Sequence, residues 1–244
     1  MFIHLRIGVG IIGLSLPLVL FAGGELFHVG FAGSMSAYYH ATAKCSIPQC
    51  PDVKCVNQQV GDDRCQPGAG PMRNWFVGNL FFIGAAMFFL KGFSQWENWA
   101  LNIAGIAAPC VALFPMDWPC RTCGLNIHSV HFPAALTFFI CAGFTCVFCS
   151  EKTLHQIPKT DPKYRKVPLF RLIYRILGIA MFVMPVIAWA CAYNTSHLGF
   201  WLETAGVCAF GAYWLVKTVE LQWSEVEKKA LFGALQMNPR TLLR

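Results

Sequence analysis

The segment Asn126-Ile127-His128-Ser129-Val130-His131 sets two imidazoles three residues apart at the head of an apolar run, Phe132 to Cys149. A helix presents residues at that spacing on one face. Two further segments, Ser34 to His40 and Leu113 to Asp117, are expected to end at the same depth and on the same side of a membrane. His40, His128 and His131 could then supply three nitrogens to zinc, leaving water as the fourth ligand. Such an ion stabilises hydroxide near neutral pH and polarises a carbonyl, and at this depth the carbonyl would belong to a lipid head region. Asp117 is expected as general base, fourth ligand or orienting partner of a histidine. Ser36 stands four before His40 and could donate to a developing oxyanion, and Glu203 is the reserve proton-transfer group. The chemistry expected of this set is zinc-dependent hydrolysis of a lipid amide or ester.

Only a membrane helix bundle places these residues together. Of 244 residues 56% are apolar and 13% charged, against about a quarter charged in soluble domains. The apolar residues come in runs of roughly 18 to 23, enough to cross about 30 Å of hydrocarbon. The expected fold is a single all-α polytopic domain over 1–244 with about six transmembrane helices. Their apolar stretches run from Ile7 to Gly23, Trp75 to Leu90, Ala100 to Phe114, His131 to Cys149, Leu172 to Ala192 and Phe200 to Val216. The first follows Arg6 as a signal peptide would, but no Ala-x-Ala site succeeds it, so an uncleaved first span is expected. Residues 41–73 lack helical or strand periodicity and read as an outer loop, and 218–244 as a cytoplasmic tail.

Net charge is +7, yet the excess gathers in Lys152 to Arg175 rather than along a groove, so no nucleic-acid partner is expected. Positive flanks of membrane helices stay cytoplasmic, which places both termini inside and the loops at 41–73, 116–127 and 193–199 outside. Contact with acidic lipid headgroups is a secondary expectation. The cysteines agree with this orientation. Cys45, Cys50, Cys55, Cys65, Cys120 and Cys123, six of the twelve, fall in outer loops, where disulfides form. The others, Cys110, Cys141, Cys146, Cys149, Cys191 and Cys208, suit the role of small apolar packers. Pairing in the first outer loop stays open, and a zinc knot there would have loose ligand spacing.

Plainer roles compete at each position. The histidines could be hydrated interfacial residues, Asp117 a turn cap, and Glu25 with His28 a mutual pair. Tyr38, Tyr39, Trp75, Trp118 and Trp201 suit an aromatic belt. Cys120-x-x-Cys123 has redox spacing without a thioredoxin-like surround, so a structural disulfide is favoured. Asn194-Thr195-Ser196 fits a glycosylation sequon, and His197 is a solvent-side alternative ligand.

Ser34 to His40, Met72 to Gly78, Asn102 to Ala108 with Val111 to Pro115, and Phe200 to Thr204 resemble a bacterial family of small multi-helix membrane proteins known mainly as a domain of unknown function. The chain departs from that pattern by inserting the cysteine-bearing loop after His40. Ser36-x-x-x-His40 is also similar to the Ser-x3-His motif of the CREST superfamily, which includes alkaline ceramidases and the progestin and adiponectin receptors. That resemblance implies zinc held by three histidines beside an aspartate, matched by His40, His128, His131 and Asp117. The final pair has His-x2-His spacing on the fourth expected span, where the superfamily has His-x3-His on its seventh.

Two other classes of function fit the same residues. Faces rich in Gly and Ala with a special outer loop suit a non-catalytic assembly subunit, receptor or lipid-binding scaffold, its protein partner meeting the cysteine-rich loop. A small transporter or redox cofactor carrier is the third class, although there is no Cys-x-x-Cys-His motif and no clear inverted repeat.

Overall fold

Residues 2–26, 31, 33–39, 71–114, 130–191 and 198–231 are described by the computed structural model of the chain. They are all-helical, with no strand among them. Helix α1 spans Ile3–Leu26, α2 Pro71–Phe89, α3 Gln95–Leu113 and α4 His131–Phe144, which continues through a π-helical segment at Thr145–Cys149 into the short α5, Glu151–Leu154. After a 3₁₀ turn at Pro162–Lys166 come α6, Val167–Cys191, α7, Leu198–Ser224, and α8, Val226–Leu231. A second 3₁₀ turn, Ser36–Tyr39, lies between α1 and α2.

The six long helices form a ring in which α1 meets α2, α2 meets α3, α3 meets α4, α4 meets α6, α6 meets α7 and α7 returns to α1. Phe138 of α4 and Phe210 of α7 meet inside it with ring centres 5.1 Å apart. Small residues close the ring. A Cβ placed on Gly211 would lie 2.8 Å from the Gly10 carbonyl and 2.8 Å from the Leu14 nitrogen, so α1 and α7 touch backbone to backbone. The Gly84 and Gly105 pair does the same for α2 and α3. Pro109 helps there, because without an N–H it leaves the Gly105 carbonyl free of its helical partner. Close approach of this kind is how membrane helices gain packing when burial of apolar surface contributes little.

Three segments are long and apolar enough to cross a membrane: Ile3–Leu26, His131–Leu154 and Pro162–Ala188. The outward faces carry the same character. On α6 the exposed residues Leu169, Leu172, Ile176, Ile179, Val183 and Val186 repeat at helical spacing, and α3 exposes Trp96, Trp99, Ile103, Ile106 and Leu113 in the same way. A soluble helix turns polar residues outward. At 1.5 Å per residue each stripe runs about 25 Å, close to a hydrocarbon thickness.

Several boundaries differ from expectation for local reasons. Helix α1 passes Gly23 and Gly24 unbroken, because the second glycine packs on Tyr38, where a Cβ would fall 2.9 Å from Cε1. Helix α3 starts at Gln95, ahead of the apolar stretch that begins at Ala100, since Ser94 caps it by accepting from the Glu97 N–H at 3.3 Å. The expected tail at 218–244 does not begin at 218: α7 runs on to Ser224, and Glu225 turns the chain with a left-handed φ of 57°. The four Cys residues expected in the 41–73 loop, together with Cys120 and Cys123, lie outside the described residues, so the expected disulfides do too. Cys110, Cys141, Cys146, Cys149 and Cys208 are free thiols, and Cys146 and Cys149 are buried packers as expected.

Candidate functional site

His131 opens α4 and is buried, with 7% of its surface exposed. Its Nδ1 lies 2.9 Å from the Phe114 carbonyl and 3.1 Å from the Val111 carbonyl. The last carbonyls of a helix lack intrahelical donors, and Val111 would look to residue 115, a proline without an N–H. The histidine meets that demand from the next helix. Two carbonyls can only accept, so Nδ1 carries a proton, and in the neutral ring Nε2 is left with a lone pair. Ser36 Oγ stands 3.0 Å from Nε2 and donates to it.

The 36–39 turn that carries Ser36 is fixed by Glu203 of α7. This carboxylate accepts from the Ser34 hydroxyl at 2.8 Å and from the Met35 N–H at 2.7 Å. Ser34 Oγ in turn accepts from the Ser36 N–H at 3.2 Å. Below the turn Tyr38 is buried, and Phe31 stacks edge-on against Phe200 with centroids 5.0 Å apart. Beside it the Arg73 guanidinium lies 4.6 Å from the Tyr39 ring centre and donates to its hydroxyl at 2.9 Å.

Of the residues singled out by sequence, Ser36 and His131 therefore meet directly, and Glu203 holds the turn that brings them together. Ser36 bonds to the histidine itself, and Glu203 anchors Ser34 and Met35. His40, Asp117 and His128 lie outside the described residues, as do His28 and His197. Zinc does not fit the described residues by themselves. The Nε2 lone pair can serve Ser36 or a metal but not both, and among the described residues no group of three His, Cys, Asp or Glu side chains is placed to hold an ion.

A second polar cluster, at the opposite end of the ring, was not foreseen. Lys217 and Glu220 of α7 are buried and paired at 2.7 Å, with Thr153, Tyr174 and Ser150 around them. A Lys and a Glu three apart inside an apolar helix were the available signal, because ionisable groups within membrane segments face the bundle interior and pair.

Comparison with protein-family models, curated proteins and solved structures finds no match for the chain.

Proposed function

We propose that the chain is an integral membrane hydrolase acting on a lipid ester or amide, with Ser36 as nucleophile and His131 as its general base. The observation that carries this reading is the 3.0 Å contact between Ser36 Oγ and His131 Nε2, on a ring whose Nδ1 is pinned to main-chain carbonyls. A nucleophile bonded to a base that a third group orients is the pattern of activated serine chemistry. Ser36 Oγ attacks the acyl carbon and its proton passes to Nε2. The bond to the leaving alcohol or amine then breaks, and that group takes the proton from Nε2. Water enters by the same route, giving a proton to Nε2 and its hydroxide to the acyl carbon; the Ser36 Oγ–acyl bond then breaks and Oγ takes the proton back from Nε2. Glu203 positions the turn and takes no part in the proton transfer.

The lipid substrate class follows from depth. The outward apolar stripe of α3 ends at Leu113 and Phe114, which are 60% and 48% exposed, and the Phe114 carbonyl is the one that holds His131. The reacting pair therefore sits at the rim of the apolar belt, where acyl linkages lie. In this reading all six long helices cross the membrane. The basic segment from Lys152 to Arg175 is at the other end of the ring and stays cytoplasmic, so the reaction occurs on the outer side, with the chain's termini inside.

The test is labelling of the detergent-solubilised full chain with a fluorophosphonate, alongside total metal analysis. Labelling that Ser36→Ala abolishes, with no stoichiometric zinc, supports the serine reading. Stoichiometric zinc lost on replacing His131 would instead favour the zinc arrangement with His40 and His128.

One observation favours a second reading, a non-catalytic membrane subunit or scaffold. The N–H groups of Met35, Ser36, Ala37 and Tyr38 are all engaged within the turn or by Glu203, so no main-chain donor there is left for an oxyanion. His131 would then serve as a tie joining α3, α4 and the 36–39 turn. Absence of labelling in a folded protein, with a partner copurifying on gentle extraction, is the outcome that reading expects.

A further inference from the structure

The polar cluster at the far end of the ring contains more carboxylate than its buried cation can balance. Glu97, Lys217 and Glu220 are 5%, 2% and 0% exposed. Lys217 Nζ donates to Glu220 Oε2 at 2.7 Å and to Thr153 Oγ1 at 2.6 Å, and the ammonium lies 5.4 Å from the Tyr174 ring centre. Both of its hydrogen bonds thus go to Glu220 and Thr153, and neither reaches Glu97. The same Glu220 oxygen also accepts from Tyr174 at 3.1 Å, which is the environment of an ionised carboxylate paired with its ammonium. Its second oxygen, Oε1, is buried with no hydrogen-bond partner among the described residues.

Glu97 is the surplus. It makes no ion pair among the described residues, and its Oε2 accepts from the Phe93 N–H at 2.7 Å. Its side chain packs so tightly against Gly92 that a Cβ there would strike it. Around it stand groups from every packed element. Helix α7 contributes Lys217, Glu220 and Tyr213, and the π segment contributes Cys149; Tyr174 of α6 and Cys146 stand on the Glu220 and Lys217 side of the cluster. Lys152 of α5, half-exposed at the water-facing rim, is the remaining cation that acts on Glu97. Its charge is screened by solvent, whereas the charges inside the cluster are not. A buried carboxylate without a bonded cation neutralises by taking up a proton. The backbone is irregular at this level, with a π segment over Thr145–Cys149, and such segments occur often at functional sites.

We propose that Glu97 is an internal proton-binding site, taking one proton from water at the Lys152 rim while Glu220 remains ionised as the fixed counter-charge of Lys217. The ligand is the proton itself, and the site does not depend on chemistry at the His131 end. The two carboxylates should therefore respond differently to an isosteric neutral replacement. Gln copies the protonated form of Glu97, but at Glu220 it strands the Lys217 ammonium.

The experiment is thermal unfolding of the full chain in detergent across pH for wild type, E97Q and E220Q. At neutral pH E97Q is expected within about 3 °C of wild type and E220Q lower by at least about 6 °C. In the wild type the folded state keeps a proton that the unfolded chain releases, so stability falls as pH rises. E97Q should flatten that slope. A loss in E97Q equal to that in E220Q, or an unchanged slope in E97Q, overturns the proposal. Should E97Q fail to fold, the infrared spectrum of the wild type decides: a protonated-carboxyl stretch that shifts in D₂O supports the site, and its absence overturns it.

Discussion

Replacing Ser36 with Ala removes one donor from His131 Nε2, whereas replacing His131 with Ala strips the Val111 and Phe114 carbonyls of the ring that satisfies them. The two costs are unequal. One hydrogen bond is worth about 1 kcal/mol net, and for a chain of this length that is about 2 to 4 °C of melting temperature. Orphaning the buried Val111 carbonyl costs about 1 to 3 kcal/mol, with the part-buried Phe114 bond and the vacated ring volume added to it. His131→Ala should therefore lower melting by at least about 6 °C. Under the proposed mechanism activity should divide the other way. Removing the nucleophile of a Ser-His pair lowers turnover by at least about 10³-fold, so Ser36→Ala should abolish hydrolysis and fluorophosphonate labelling in a protein nearly as stable as wild type. Labelling and thermal unfolding of the same purified samples read both effects. Retained labelling in Ser36→Ala refutes the nucleophile assignment, and a greater stability loss in Ser36→Ala than in His131→Ala refutes the bonding scheme itself.

Glu203→Gln keeps the shape of the anchor but loses its charge, weakening bonds worth about 1.5 to 3 kcal/mol; the rate of Ser36 labelling should fall, and a wild-type rate would count against Glu203 as the positioning group. Gly211→Ala forces a Cβ to within 2.8 Å of the α1 backbone, so a melting loss matching about 1 to 3 kcal/mol is expected, and a neutral result would mean that α1 and α7 do not touch. Ile179→Lys puts an ammonium in the middle of the outward stripe of α6. Membrane insertion should suffer by about 2.5 to 3.5 kcal/mol, and unimpaired fractionation with membranes would argue that this face meets water.

The apolar runs announced the six long helices, but their ends were set by contacts that a run of hydropathy does not display. Ser94-x-x-Glu97 is a capping pattern in plain view, and it starts α3 before the apolar stretch does. Helix α7 continues past its apolar stretch because Lys217 and Glu220 neutralise one another inside the bundle, so residues that look like the start of a tail belong to the core. The candidate site was partly legible. His131 and Ser36 stood out by type, but the zinc-like spacing of His128 and His131 concealed that the ring nitrogens have main-chain and hydroxyl partners. The orphan carbonyl that draws Nδ1 was also written in the sequence, as a proline four residues after Val111. Glu203 was picked for its acidity, and only tertiary placement shows that acidity being used to hold the Ser34 hydroxyl and the Met35 N–H.

Because the ring is completed by α1 against α7, its first long helix waits for a partner made nearly two hundred residues later. Until α7 is made, the Gly10 and Gly13 face of α1 lacks the backbone that packs on it, and α7 then has to fit between that face and α6. Chains halted before α7 should thus be rings left open at one seam, between α1 and α6.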